Sequence, residues 1–579
     1  MGKFKKLLYL TGVFFLASAL ALSAGAEFAG SETGARTEAR QADLDYLYTN
    51  LKERHPDIYA NTPESAFLTR KAEIESRLDT DSNAAYILDL QSLVALIEDS
   101  HTQLSISSIA EESRFYPFAL NWFDGQWILS AAETARQDLI GAQVTAINGL
   151  PMAQVLQRFS IISSADNQVK LRRDFRQSCN AEELYRYTGV VSGDAPLILT
   201  LRDSAGQEKD LALNATDSAG LNQLSVAKLS DARKSTPKTA QNSTYYSAMA
   251  LDGNAYYIQY NKCAEDPELP METFCARIQA ALDAGRYQRV LVDLRNNGGG
   301  SDGVIVPLLM LLREELDTTG LQVTALVGEG TFSSGIINAV ELQEMGCVLA
   351  GEATSGSVDH FGAVNVFQLP NSGLKAQVSS KYIALSGIFD AAAGKGVEPL
   401  IPDVVIPQTL KDYMDGRDTC VEKLLADPAG IKPENRASAP LTRSRFIAML
   451  YDAAGSPKQT PEQLPFSDLF GIEWYLPALS WAKDSAVAAG TGSDAFSGAR
   501  IMTWQEAAVF LVRTVQAINP APEDMTGSTP PEALLAGAWD EEAIRSAWKW
   551  GLLPLNADFT VPPTRAQGEA MAEALHQAK

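Results

Sequence analysis

Positive charge is in short supply in this chain. Lys and Arg number 48 against 71 Asp and Glu, a formal net charge of −23. Nucleic-acid partners need a basic face to neutralise phosphates, so that class of function is excluded. Cysteine is scarce as well, with five in 579 residues. Cys179, Cys263, Cys275, Cys347 and Cys420 show no metal-ligand spacing. An odd, sparse set does not build a disulfide framework, although export would permit a Cys263–Cys275 bridge. The five read mainly as small buried hydrophobes. No metal and no cofactor is expected. After the N-terminal segment, no apolar run is long enough to span a bilayer.

Several features stand against these absences. Lys3, Lys5 and Lys6 precede an apolar stretch from Leu7 to Leu22, and Ala24-Gly25-Ala26 offers small residues for cleavage. This predicts a secretory signal peptide over 1–26, cut after Ala26, with a retained anchor as the alternative. No cysteine follows the apolar stretch to receive a lipid. The length requires two to four domains.

The expected fold is multidomain α/β (α+β). Residues 27–40 read as a short polar stretch. Leu44, Leu47 and Leu51, then Ile87, Leu90, Leu93, Val94 and Ile97, recur at helical spacing, which predicts a helical segment over 41–112. Residues 115–213 read as β-rich, with a strand closing in the Asn148-Gly149 turn and a hairpin around Ser204-Ala205-Gly206. The polar run 216–243 reads as a loop or linker. Over 244–410 strands alternate with helices, which predicts a parallel or mixed sheet with covering helices. Residues 427–440 read as a linker. Over 441–579 a weak internal repeat emerges: helices begin at Thr442-Arg443, Thr503-Trp504 and Thr564-Arg565, each with Thr at the N-cap. The tryptophans there, Trp474, Trp481, Trp539, Trp548 and Trp550, read as core.

The chemistry concentrates in three places. Val290 to Asp293 is a buried strand running into the glycine turn Gly298-Gly299-Gly300. Thr331-Phe332-Ser333-Ser334-Gly335 follows a second strand and places a serine at a helix N-terminus, beside unpaired N–H donors. Together these suggest a nucleophile, Ser334 or its neighbour Ser333, and an oxyanion hole from Gly299 or Gly300 with Gly335. Asp99-Ser100-His101-Thr102 supplies a base. The chain has four histidines, and His101 alone sits in such a polar setting. His55 reads as structural, His360 as a substrate contact and His576 as solvated.

These motifs resemble the carboxy-terminal processing protease and tricorn family of serine peptidases. The resemblance spans about residues 43–408 and rests on Asp293–Gly300, Phe332–Gly335, Gly351–Gly356, Gly396–Pro399 and Pro402–Val404. It implies a crotonase- or ClpP-like mixed-sheet peptidase core at 244–410. Residues 141–149 resemble the PDZ-type peptide-binding module often carried there. The family's Ser–Lys style needs a lysine in the loop 354–359, which holds none. Ser100-His101 is similar to the Ser–His pair of the tricorn-like style, so Ser334, His101 and an assisting Ser100 are the implied catalytic residues. The tricorn-type glutamate has no match. Asp99, Asp359 and Glu398 are the candidate acids that orient His101.

The repeats after 441 resemble surface-layer homology modules, all-α units that attach bacterial proteins to secondary cell-wall polymer. Thr442, Arg443, Asp468, Trp474, Thr564 and Arg565 are the implied wall contacts. The expectation is a secreted, wall-associated serine peptidase acting on peptide or protein substrates, with no membrane span once the signal is cut. Its rival is a non-catalytic surface protein that binds peptides by strand addition.

Overall fold

The computed structural model describes residues 33–106, 113–193, 195–240, 244–285, 287–427, 440–457, 464–492, 494–518 and 529–577, together with Ile109. The expected signal peptide and nearly all of the expected linker 427–440 lie outside them. The chain divides into two compact units. One gathers 1–243, 351–383 and 405–426, and the other 244–350, 384–404 and 427–579. The stretch 244–410, expected as one block, is therefore shared between them.

In the first unit, helices Thr33–Arg54, Glu64–Glu75 and Asn83–Ala95 pack together. Leu44, Leu47, Leu51, Leu90, Leu93 and Val94 are all fully buried, as their spacing requires. Ser82 caps the third helix by accepting from the Ala85 N–H (3.1 Å). The first helix already begins at Thr33, so part of the expected polar stretch is helical. Its signal was hidden by Arg40, whose buried guanidinium donates to the Leu78 carbonyl (2.8 Å) and Asn83 Oδ1 (2.9 Å).

An antiparallel sheet follows, in the order Phe118–Phe123, Gln126–Glu133, Gln143–Ile147, Leu197–Arg202, Glu208–Leu213. The Asn148-Gly149 turn has φ of 49° and 75°, a left-handed pair that Asn and Gly adopt at low cost. Residues 216–243 are not simply a loop. Asp217 caps a short helix, Ser218–Gln223, and Val226–Lys228 pairs with Gln126–Glu133. A three-residue strand is too short to show an alternating pattern, so it escaped sequence reading.

Gln103–Leu104, just past His101, pairs antiparallel with Lys375–Ala384, and that strand neighbours Asp359–Gln368. This pairing draws residues 351–383 into the first unit.

The second unit holds a mixed sheet in the order Val348–Gly351, Gln322–Val327, Arg289–Asp293, Ala255–Tyr260, Tyr246–Leu251. Ala255–Tyr260 and Arg289–Asp293 run parallel and are buried at every position, as in a sheet covered on both faces. Met271–Ala284, Val306–Thr319 and Ser334–Glu344 are the intervening helices.

The described residues of 441–577 form a helical cluster around Phe446, Leu479, Trp481, Trp504 and Trp548. The repeated threonines cap their helices. Thr442 Oγ1 accepts from Arg445 N, Thr503 Oγ1 from Glu506 N and Thr564 Oγ1 from Gln567 N. Backbone bonds from Leu441 N to Pro563 O and from Met502 N to Leu441 O, each 2.8 Å, bring the three helix starts together. Trp539 departs from the expected core and is 62% exposed.

Glu344 ends the helix that Ser334 begins, and it is fully buried. Its Oε2 accepts from Ala391 N (2.8 Å), and the Tyr475 hydroxyl lies beside the carboxyl. Burial, then the nearby Asp390 and Glu473 carboxylates, push its carboxyl up to about 8. Such a group binds its proton more tightly folded than unfolded. Its contribution to stability is full below the ordinary glutamate range and is lost as pH rises through about 8. Glu344→Gln, which mimics the protonated form, is expected to flatten the fall in melting temperature between about pH 5 and 8. An unchanged slope would show that Glu344 does not titrate in this window.

Candidate active site

The second unit supplies the serine and the glycine turn. Asn297 is fully buried and joins the two loops. Its carbonyl accepts from Phe332 N (2.9 Å), its Oδ1 accepts from Gly299 N (2.9 Å), and its Nδ2 donates to Tyr260 O (2.9 Å). The loops approach so closely that side chains are excluded. A Cβ on Gly299 would lie 2.7 Å from Ser333 Cβ, and one on Gly335 would lie 2.6 Å from Asn297 O.

Ser333 caps the next helix with φ 54° and ψ −130°, outside the regions an L-residue ordinarily occupies. This strained turn sets Ser334 as the first residue of Ser334–Glu344. Ser334 is 7% exposed, and its Oγ donates to Gly300 O (2.8 Å).

Of the three glycine N–H groups expected as oxyanion donors, two are already committed. Gly299 N–H is committed to Asn297 Oδ1, and Gly335 N–H to Phe332 O (2.9 Å). Neither can serve as read from sequence. The N–H groups of Gly300 and Ser334 donate to no described residue, and the Gly300 carbonyl accepts from the Ser334 hydroxyl.

The first unit supplies the histidines. His101 is buried, with its backbone held on both sides. Its N–H donates to Asp99 Oδ1 (2.9 Å), and its carbonyl accepts from Gln377 Nε2 (2.8 Å). Burial pushes its imidazole down to about 3, and the Asp99 charge offsets only part of this. The ring is therefore neutral, the proton-accepting form, at and well below neutral pH.

Asp99 accepts from Ser379 Oγ (2.6 Å), from Thr102 Oγ1 (2.5 Å) and from His55 Nε2 (3.3 Å). Burial opposes its charge, but these bonds and the neighbouring His101 hold its carboxyl down at about 2. His55 Nδ1 accepts from Asp57 N (3.1 Å), so its Nε2 carries the hydrogen given to Asp99. This pairing spans 44 residues, beyond the reach of the local signals that mark His55 as structural.

Ser100, the expected assisting residue, is bonded to Asp166. Its hydroxyl donates to Asp166 Oδ1 (2.7 Å) and accepts from Asp166 N (3.2 Å). Burial raises the Asp166 carboxyl to about 6. Asp166 was missed because Asp-Asn before a helix reads as a cap, and Asn167 does cap Gln168–Ser178. Of the other candidate acids, Asp359 is buried at the start of Asp359–Gln368. Glu398 stands exposed in a turn, its N–H on Gly396 O (2.9 Å).

The implied wall contacts are largely spent within the helical cluster. Arg443 is 4% exposed, donates to Phe496 O (3.1 Å) and Glu506 Oε1 (2.9 Å), and lies over the rings of Phe496 and Phe510. This corrects its assignment as a polymer contact, since a buried guanidinium cannot reach one. Thr442 is buried against Asp390. Asp468 accepts from Phe496 N and Ser497 N (2.8 and 2.7 Å). Trp474 lies under the Arg445 guanidinium (4.2 Å). Thr564 pairs with Gln567, and Arg565 with Glu569 (3.6 Å).

All five cysteines are free, so Cys263 and Cys275 are not bridged. Among the described residues no helix is long and apolar enough to cross a membrane. No group of three or more His, Cys, Asp or Glu among them could hold a metal ion.

No family model matches the chain, and the comparison with curated proteins gives no match. Among solved structures it is similar to mature CPAF complexed with lactacystin, at 13% identity over 67% of this chain and 97% of that one, TM-score 0.45. It is also similar to the photosystem II D1 C-terminal processing protease, at 12% over 67% and 97%, TM-score 0.32. A third is the tricorn protease, at 14% over 67% and 36%, TM-score 0.29. Likenesses at these scores carry no weight for function, which is read from the residues themselves.

Proposed function

We propose that this chain is an exported serine peptidase. The observation that carries the reading is Ser334, set by a strained turn at a helix start with the glycine turn packed against it. In the proposed reaction Ser334 Oγ attacks the scissile carbonyl carbon while His101 takes its proton. Gly300 N–H and Ser334 N–H hold the oxyanion. The protonated His101 then gives its proton to the leaving amine, and water hydrolyses the acyl-enzyme by the reverse sequence. Ser334 and His101 must meet for this to run. No metal enters the scheme.

Two finer parts belong to the same proposal. Residues 115–213 form a PDZ-like module that presents peptide substrate, and the Thr-led helices of 441–579 tether the enzyme to cell-wall polymer through their exposed faces, not through Arg443. Pelleting of the full chain with isolated walls, and its loss on walls stripped of secondary polymer, tests the tether. Incubation with a library of unstructured peptides, read by mass spectrometry, tests the activity. New peptide termini produced by the wild-type chain are expected. An untouched library would favour the peptide-binding rival.

A further inference from the structure

The imidazole of His360 has no role in the scheme above. Its Nδ1 lies 2.9 Å from Ser357 O and 3.2 Å from Val358 O. Carbonyls only accept, so Nδ1 carries the hydrogen and Nε2 is left as a bare lone pair. That Nε2 is buried and has no hydrogen-bond partner among the described residues. The ring lies flat against His101, with centroids 5.4 Å apart and planes 15° apart. The loop leading to it is pinned. Asn167 Nδ2 donates to Ser355 O and Ser357 Oγ, each at 3.0 Å, and Arg173 donates to Ser355 Oγ (2.8 Å).

A buried acceptor without a donor is costly, and a buried neutral imidazole stacked on another does not form by default. We propose that His360 is a positioning residue for His101, fixing the plane of its ring and allowing the stacked pair only one proton. This rests on reading His101 as the base. Asp99 fixes the backbone of His101, and His360 fixes its ring face. Two parallel imidazolium rings at this distance, shielded from water, would repel. When His101 takes the serine proton, His360 itself stays neutral, its one ring hydrogen held on Nδ1 by the Ser357 and Val358 carbonyls. The other charged or titratable groups acting on the pair are Asp99, which carries His55, and Asp359 and Lys170. Burial lowers the tendency of both rings to charge, and Asp99 favours the charge on each.

The test compares His360→Phe, which keeps a stacked ring but takes no proton, with His360→Ala, which keeps neither. In the full chain, kcat is expected to fall roughly 10-fold or more in the Ala variant, with KM little changed, and to stay within about 3-fold in the Phe variant. Because the second proton acceptor is gone from both, the acid limb of kcat/KM should move to higher pH by about half a unit or more. Titration of 13C-labelled histidine rings follows the same midpoint without using activity. The chain has four histidines, so their signals can be assigned by substitution. An upward shift of the His101 midpoint in both variants supports the proposal even if no peptide is cut, an outcome that would sink the peptidase reading alone. Unchanged midpoints in both variants, with melting temperatures as in wild type, would overturn it. Equal kcat in the Ala variant and wild type would do the same.

Discussion

Ser334→Ala is expected to reduce peptide turnover by a factor on the order of 10^4 or more, and His101→Ala to do about the same. The double variant should be scarcely worse than either, because both residues serve one proton transfer. Stability should change little. Among the described residues Ser334 Oγ makes one hydrogen bond, to Gly300 O, with a net worth of about 1 kcal/mol. Thermal melts beside the kinetics separate catalytic loss from unfolding. Ser333→Ala is the internal control. Its side chain makes no capping bond, and the strained backbone that sets Ser334 is as accessible to Ala as to Ser. Substantial activity in Ser333→Ala with none in Ser334→Ala is the expected pair. The reverse would place the nucleophile one residue earlier.

Gly300→Ala is expected to be nearly as damaging, by a different route. A Cβ there would sit 2.2 Å from Cys263 O and 2.9 Å from its carbonyl carbon, both backbone atoms that cannot step aside. With φ at 139°, the position also disfavours any L-residue. The turn must shift, at a cost of about 1–3 kcal/mol. With it goes the Gly300 N–H, a proposed oxyanion donor whose loss costs on the order of 10^2 in kcat. Gly298→Ala, two residues away, meets nothing within 4 Å and should behave as wild type. Similar activity in both variants would remove Gly300 from the account.

The sequence revealed most where signals are local. The strand Arg289–Asp293 before the glycine turn, the helix opening at Ser334 and the Thr-led repeat helices all follow from periodicity and caps within a few residues. Distant pairings were hidden. Gln103–Leu104 joins Lys375–Ala384 across some 270 residues, and this pairing, invisible to any window, divides the stretch read as one core. The same limit conceals the His55–Asp99 bond and the Ser100–Asp166 pair. Hydrogen-bond commitment is hidden too. Composition marks Gly299, Gly300 and Gly335 alike, and only the fold reveals that Asn297 and Phe332 have taken two of the three donors. The Thr-Arg pair at 442–443 shows the converse, since its residues serve the helical cluster before any partner.

The nucleophile can be tested without knowing the substrate. The folded chain is treated with a fluorophosphonate, digested and mapped by mass spectrometry. The account requires one phosphonyl adduct, on Ser334, absent in Ser334→Ala and strongly reduced in His101→Ala. An adduct on another serine, or none on a chain that cleaves peptides, would contradict it.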